Sequence, residues 1–155
     1  MTSHALPRSY SIKEAAALTG LPASTLRYYE QIGVIAPISR GASSGHRVYD
    51  DEDLDQLMWV SCLAATGMSV GDMRLYMSNR LGADAAADQE RLLREQQERL
   101  ATEARALVLR QRYVDLKIAY WQAVQDGDTA RSEQVSDQAR ALADELRAVT
   151  HDPIH

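Results

Sequence analysis

The sequence predicts a mainly α-helical chain: two short helices and a hairpin, two more helices, then one long helix and a short final one. Three observations predict it. Capping residues open segments at Ser11, Asp50 and Ser69, glycines close segments at Gly20, Gly33 and Gly67, and apolar side chains recur every seven positions from about residue 86.

Composition narrows the function classes. A chain of 155 residues, 45% hydrophobic and 25% charged, has room for one compact soluble domain and an extension. One cysteine excludes a disulfide framework. The polar start MTSHALPRSY and the lack of any bilayer-length apolar run point to a cytoplasmic protein with no membrane partner. The net charge of −5 conceals an asymmetry: residues 1–50 hold five basic and three acidic side chains, residues 51–155 twelve and nineteen. The early basic region also holds Tyr28, Tyr29 and Tyr49 beside Arg27, Arg40 and Arg47, a pattern suited to phosphate.

In SIKEAAALTG, Ser11 and Glu14 have capping-box spacing and Gly20 ends the helix. Pro22 suits a following first turn, and Leu26 with Tyr29 form the apolar stripe of a second helix that stops at Gly33. By helical spacing Ser24, Arg27, Tyr28 and Gln31 share the opposite, outward face. Two short helices across a Gly-containing turn are a helix-turn-helix, whose second helix enters the major groove.

The stretch PISRGASSGHRVYD reads as a β-hairpin, with strands ISR and HRVY around a five-residue loop, making a wing. Asp50 and Asp53 cap a third helix, with Leu54, Leu57, Met58, Cys62 and Ala65 expected on its buried face. Ser69 and Asp72 repeat the arrangement for a fourth helix carrying Met73, Tyr76 and Met77. Leu93, Leu100, Leu107, Val114 and Trp121 then form one heptad column, and Gln97, Ala104, Gln111 and Ile118 the other. Such a seam cannot bury itself and needs a partner helix. A last helix runs from about Thr129 with the stripe Val135, Ala139, Leu142, Leu146 and Val149, and the tail HDPIH is expected to fray.

The segments YSIKEAAALTGLPASTLRYYEQIGVI, HRVYDDEDLDQL and AATGMSVGDMR, in that order over residues 10–80, resemble the MerR family of bacterial transcription regulators. Beyond residue 80 only the architecture is similar. The resemblance implies a winged helix-turn-helix DNA-binding domain at 10–80, a dimerisation helix at 81–123 in an antiparallel coiled coil, and a C-terminal helix and tail at 124–155. It also implies a homodimer on a pseudo-palindromic promoter, distorting the duplex in response to an effector or thiol modification so that RNA polymerase can use it. The expected DNA-binding residues are Ser11, Ser24, Thr25, Arg27, Tyr28, Arg40, Arg47 and Tyr49. Arg27 and Tyr28 would reach bases or phosphates, while Arg47 and Tyr49 would grip the backbone from the wing. Core packing is an equal alternative for Tyr49. Dimerisation is expected from Leu93, Leu100, Leu107, Val114, Ile118 and Trp121.

No metal or cofactor is expected. The histidines are His4, His46, His151 and His155, and only the tail pair is close together. The segment DEDLDQLMWVSCLAATGMS resembles aldehyde- and electrophile-responsive family members with one cysteine on this helix, which makes Cys62 a candidate sensor; inert packing is the other reading. No Cys–His–Asn or Cys-x-x-Cys arrangement supports an enzyme. The alternative functions are a coiled-coil adaptor without DNA binding and an effector-independent repressor of the same fold.

Overall fold

In a computed structural model, residues 8–78 and 83–150 are described. They form six helices, and no extended strand occurs among them. The chain divides into two compact units, Met1–Leu93 and Arg94–His155.

Helix α1 spans Ile12–Thr19. Ser11 Oγ accepts the Glu14 N–H at 3.2 Å and donates to the Glu14 carboxylate at 3.1 Å, so the acid binds the hydroxyl and not, as in a full capping box, the backbone. Gly20, at φ 73°, ends the helix in the left-handed region that glycine adopts without steric cost. Helix α2, Ala23–Gln31, follows Pro22 at its N-cap. Leu26 and Tyr29 turn inward and pack with Ala15, Leu57 and Val60 in one core cluster. Fully burying a leucine such as Leu26 stabilises the fold by about 1.5–3 kcal/mol.

The expected two-stranded wing is reduced to a narrow hairpin. One bridge joins Arg40 to Arg47, flanked by hydrogen bonds from Gly41 N–H to His46 O at 2.9 Å and from Val48 N–H to Ser39 O at 2.8 Å. The glycine- and serine-rich loop turns too soon for the ladder to lengthen, since Gly45 N–H already returns to Gly41 O.

Helix α3, Asp51–Ala65, opens with the expected capping box: Asp53 N–H donates to Asp50 at 2.8 Å, and Asp50 N–H to Asp53 at 3.0 Å. Its buried face differs from the expected one. Leu57, Val60 and Leu63 point inward, whereas Met58, Trp59 and Cys62 are exposed. Both faces of this helix are apolar, so periodicity alone does not choose between them. The choice is made by neighbours: Ser61 Oγ donates to Thr19 O at 3.0 Å, which turns α3 toward α1. Helix α4, Val70–Ser78, begins with Ser69 Oγ accepting the Asp72 N–H at 3.1 Å, and buries Met73 and Met77.

Helix α5 is a single run of 43 residues, Ala83–Gln125. Its first turns belong to the N-terminal unit, where Gln89 Nε2 donates to Tyr76 O at 2.7 Å. In the second unit Gly127 turns the chain, Asp128 accepts the Arg131 N–H, and helix α6 runs over Thr129–Thr150. Helix α6 has 22 residues, about six turns, and its apolar stripe from Val135 to Val149 occupies about four of them. Val135, Ala139 and Leu142 of α6 and Ala106 and Ala123 of α5 are buried. The expected tail lies outside the described residues. No described helix is long and apolar enough to cross a membrane.

Candidate nucleic-acid interface

Helix α2 carries the face that the sequence picked out. Ser24, Arg27, Tyr28 and Gln31 are exposed, Thr25 is half-buried, and Leu26 and Tyr29 lock the opposite side to the core. Tyr28 keeps 48% of its surface open, its ring 6.1 Å from that of Tyr29. Burial raises the Tyr29 hydroxyl's pKa, with a further rise from Tyr28 beside it. The exposed side chains therefore stand on a rigid base, which limits the ordering cost of any contact they make.

Ser11 is exposed, but its hydroxyl is engaged in capping α1. Arg40 lies on the wing, exposed, with Nη1 donating to Gly45 O at 3.2 Å across the loop. That bond uses one of five guanidinium donors and leaves the rest.

One expected wing contact needs correction, and another has a partner that was not expected. Tyr49 is fully buried at 0% exposure, so its ring is a core element and no DNA contact of that side chain is open. The reason is a backbone bridge to Tyr10 that draws the end of the wing under the domain. Burial is the main cause raising the pKa of its hydroxyl; Arg47 and Arg27 pull it down, while Glu30 and Asp53 push it up. Arg47 is partly buried, its Nε donating to Glu30 Oε2 at 2.8 Å. It is thus half of an ion pair and not a free surface charge. Asp53, near the same cluster, is also raised above the usual carboxylate range, mainly by burial.

Arg27, Glu30, Arg47 and the buried Tyr49 hydroxyl consequently form one electrostatic neighbourhood at the join of α2 and the wing. Glu30 is the residue that the sequence analysis missed. A signal was present: an acid in the last turn of a helix sits against the negative end of the macrodipole, and such a placement asks for a cationic partner.

Away from this face, Cys62 is exposed on α3 and not on the inward side expected of it. The heptad column of α5 is open to solvent in the single chain: Leu93 43%, Leu100 39%, Leu107 54%, Val114 55%, Ile118 52% and Trp121 60%. A groove of about 380 Å³, lined by Tyr113, Val114, Lys117, Ile118 and Trp121 among others, marks the end of that column. Among the described residues no group of three or more His, Cys, Asp or Glu could hold a metal ion, and the His151–His155 pair lies outside them.

Residues 10–80 match the family described as MerR HTH family regulatory protein. An uncharacterized HTH-type transcriptional regulator of Haemophilus influenzae is 30% identical over 118 residues, which cover 74% of this chain and 84% of that protein. The uncharacterized HTH-type transcriptional regulator YyaN of Bacillus subtilis is 39% identical over 70 residues, 45% of this chain and 50% of its own length. The chain thus spans about half the length, or less, of the Bacillus relatives it matches. Among solved structures, HiNmlR, a MerR family regulator lacking the sensor domain and bound to promoter DNA, is similar with a TM-score of 0.60 and 27% identity, over 77% of this chain and 94% of that one.

Proposed function

The chain belongs to the MerR HTH family, and on that premise we propose that it is a transcription regulator that binds duplex promoter DNA as a homodimer. The observation that carries this reading is the exposed row Ser24, Arg27, Tyr28 and Gln31 on the second helix of the helix-turn-helix, with Arg40 on the adjoining wing. Arg27 has the planar fork that guanine edges and phosphates accept, and Tyr28 an open hydroxyl that can donate to phosphate. The promoter-bound state of HiNmlR supports the same use of the fold here.

A dimer follows from the energetics of α5. Its column of open leucines, valine, isoleucine and tryptophan would bury apolar area worth about 25 cal/mol per Å² against a second copy. Two copies related by a two-fold axis would then read a pseudo-palindrome, and deforming the duplex between the half-sites is the step that would make the promoter usable by RNA polymerase.

The test is selection of duplexes from a random-sequence pool by the wild-type protein, followed by footprinting across a range of salt. The expected result is an inverted repeat whose binding weakens steeply as salt rises, because phosphate contacts release counterions. A protein that enriches no sequence and binds DNA without salt dependence would leave only a coiled-coil adaptor.

A further inference from the structure

We propose that Glu30 is a positioning residue for DNA binding: it holds Arg47 of the wing by Nε so that the guanidinium presents its Nη edge to a phosphate. The inference rests on the DNA-binding reading above and deepens it. Its geometry is the 2.8 Å contact between Arg47 Nε and Glu30 Oε2, joining residues 17 apart, with side chains only 19% and 15% exposed. Other ion pairs, such as Arg140–Asp137 and Arg91–Asp88, link residues three apart along one helix and are more than half exposed. Pairs of that exposed kind contribute little.

Two unfavourable terms act on Glu30. It lies in the last turn of α2, where an acid opposes the helix dipole, and a carboxylate beside a DNA face repels phosphate. On Coulomb grounds a neutral residue would serve both the helix and the DNA better. The contact with Arg47 offsets these costs, and its geometry specifies what is gained. With Nε committed to Glu30, the four N–H groups on Nη1 and Nη2 meet no acceptor among the described residues and are left in a fixed plane.

The wing itself supplies little rigidity, having one bridge and a loop of small residues. Tyr49 and its bridge to Tyr10 anchor the end of the wing, and the only side-chain hydrogen bond of Arg47 among the described residues is the one to Glu30. Glu30 is therefore the group that orders it before DNA arrives.

The experiment is a cycle of Glu30→Ala, Arg47→Ala and the double variant, with Glu30→Gln as a second probe. Each is titrated with salt on a duplex selected by the wild type from a random pool and on an unrelated duplex of equal length, and folding is checked by thermal unfolding. Glu30→Ala should weaken binding to both duplexes by about two- to tenfold, the cost of ordering one rotamer-rich side chain on binding. The salt slope should stay close to that of wild type, because Arg47 still reaches its phosphate once ordered, whereas Arg47→Ala should make it shallower by about one. Glu30→Gln, whose carbonyl can still accept from Nε, should recover part of the loss and decides the matter if Glu30→Ala does not fold. In the Arg47→Ala background, removing Glu30 should cost nothing or tighten binding. Tighter or unchanged binding by both Glu30 variants overturns the inference, as do losses that simply add in the double variant. A wild type that shows no salt-dependent binding to either duplex overturns the DNA-binding reading itself.

Discussion

Tyr10 and Tyr49 exchange two backbone hydrogen bonds, Tyr10 N–H to Tyr49 O at 2.8 Å and Tyr49 N–H to Tyr10 O at 2.9 Å, which fasten the end of the wing to the segment ahead of α1. The bridge sends the Tyr49 ring into the core. Its hydroxyl arrives there without a hydrogen-bond partner among the described residues.

Tyr49→Phe should therefore stabilise the protein by about 1 kcal/mol, because it removes a buried donor whose desolvation nothing compensates. Urea unfolding of the two proteins measures it. DNA affinity should not change, since the ring is closed off from the surface. A loss of stability would mean that the hydroxyl is satisfied in the folded protein.

Arg27→Ala should weaken binding to the selected duplex by about 1–3 kcal/mol while leaving thermal unfolding within about 0.5 kcal/mol of wild type. The side chain is exposed on α2 and is not part of the core. Titrations on matched and mismatched duplexes separate a base contact, which loses discrimination, from a phosphate contact, which loses affinity uniformly. Unchanged binding to every duplex would remove Arg27 from the interface.

Leu107→Asp places a carboxylate in the middle of the α5 column, where the wild-type side chain is 54% exposed in the single chain. The folded monomer should tolerate it and the dimer should not, since burying an unpaired charge costs more than the pairing supplies. Sedimentation at micromolar concentration should show a dimer for wild type and a monomer for the variant, with operator binding lost. A monomeric wild type would refute the proposed seam.

Cys62 should be alkylated by iodoacetamide in the folded protein without prior unfolding, given its exposure on α3. Cys62→Ser should then cost less than about 0.5 kcal/mol, as surface changes do. The outward position limits how a modification could act. Bulk added at an exposed sulfur does not overpack the core between α3 and α4, so alkylation alone should leave both stability and DNA affinity near wild type. Promoter response to formaldehyde in wild type and Cys62→Ser tests it: a response lost only in the variant would show that the modified sulfur meets a surface which the single chain does not present.

What the sequence determined by itself is what short-range chemistry controls. Ser11, Asp50 and Ser69 announce their helices because a cap is a bond between residues three apart. The α5 heptads and the α6 stripe are legible because a long amphipathic pattern has one period and one face. The outward row on α2 was legible as well, with Leu26 and Tyr29 plainly apolar against Arg27 and Gln31. Tertiary structure alone decided the rest. Helix α3 has apolar residues on both sides, so Leu57, Val60 and Leu63 face inward only because α1 and α4 lie there, and Met58, Trp59 and Cys62 are left outside. Tyr49 has the same composition whether it grips a phosphate or fills a core, and its bridge to Tyr10 selects the core. The Glu30–Arg47 pair forms only when the wing folds back against α2, a meeting of distant residues that no local period encodes.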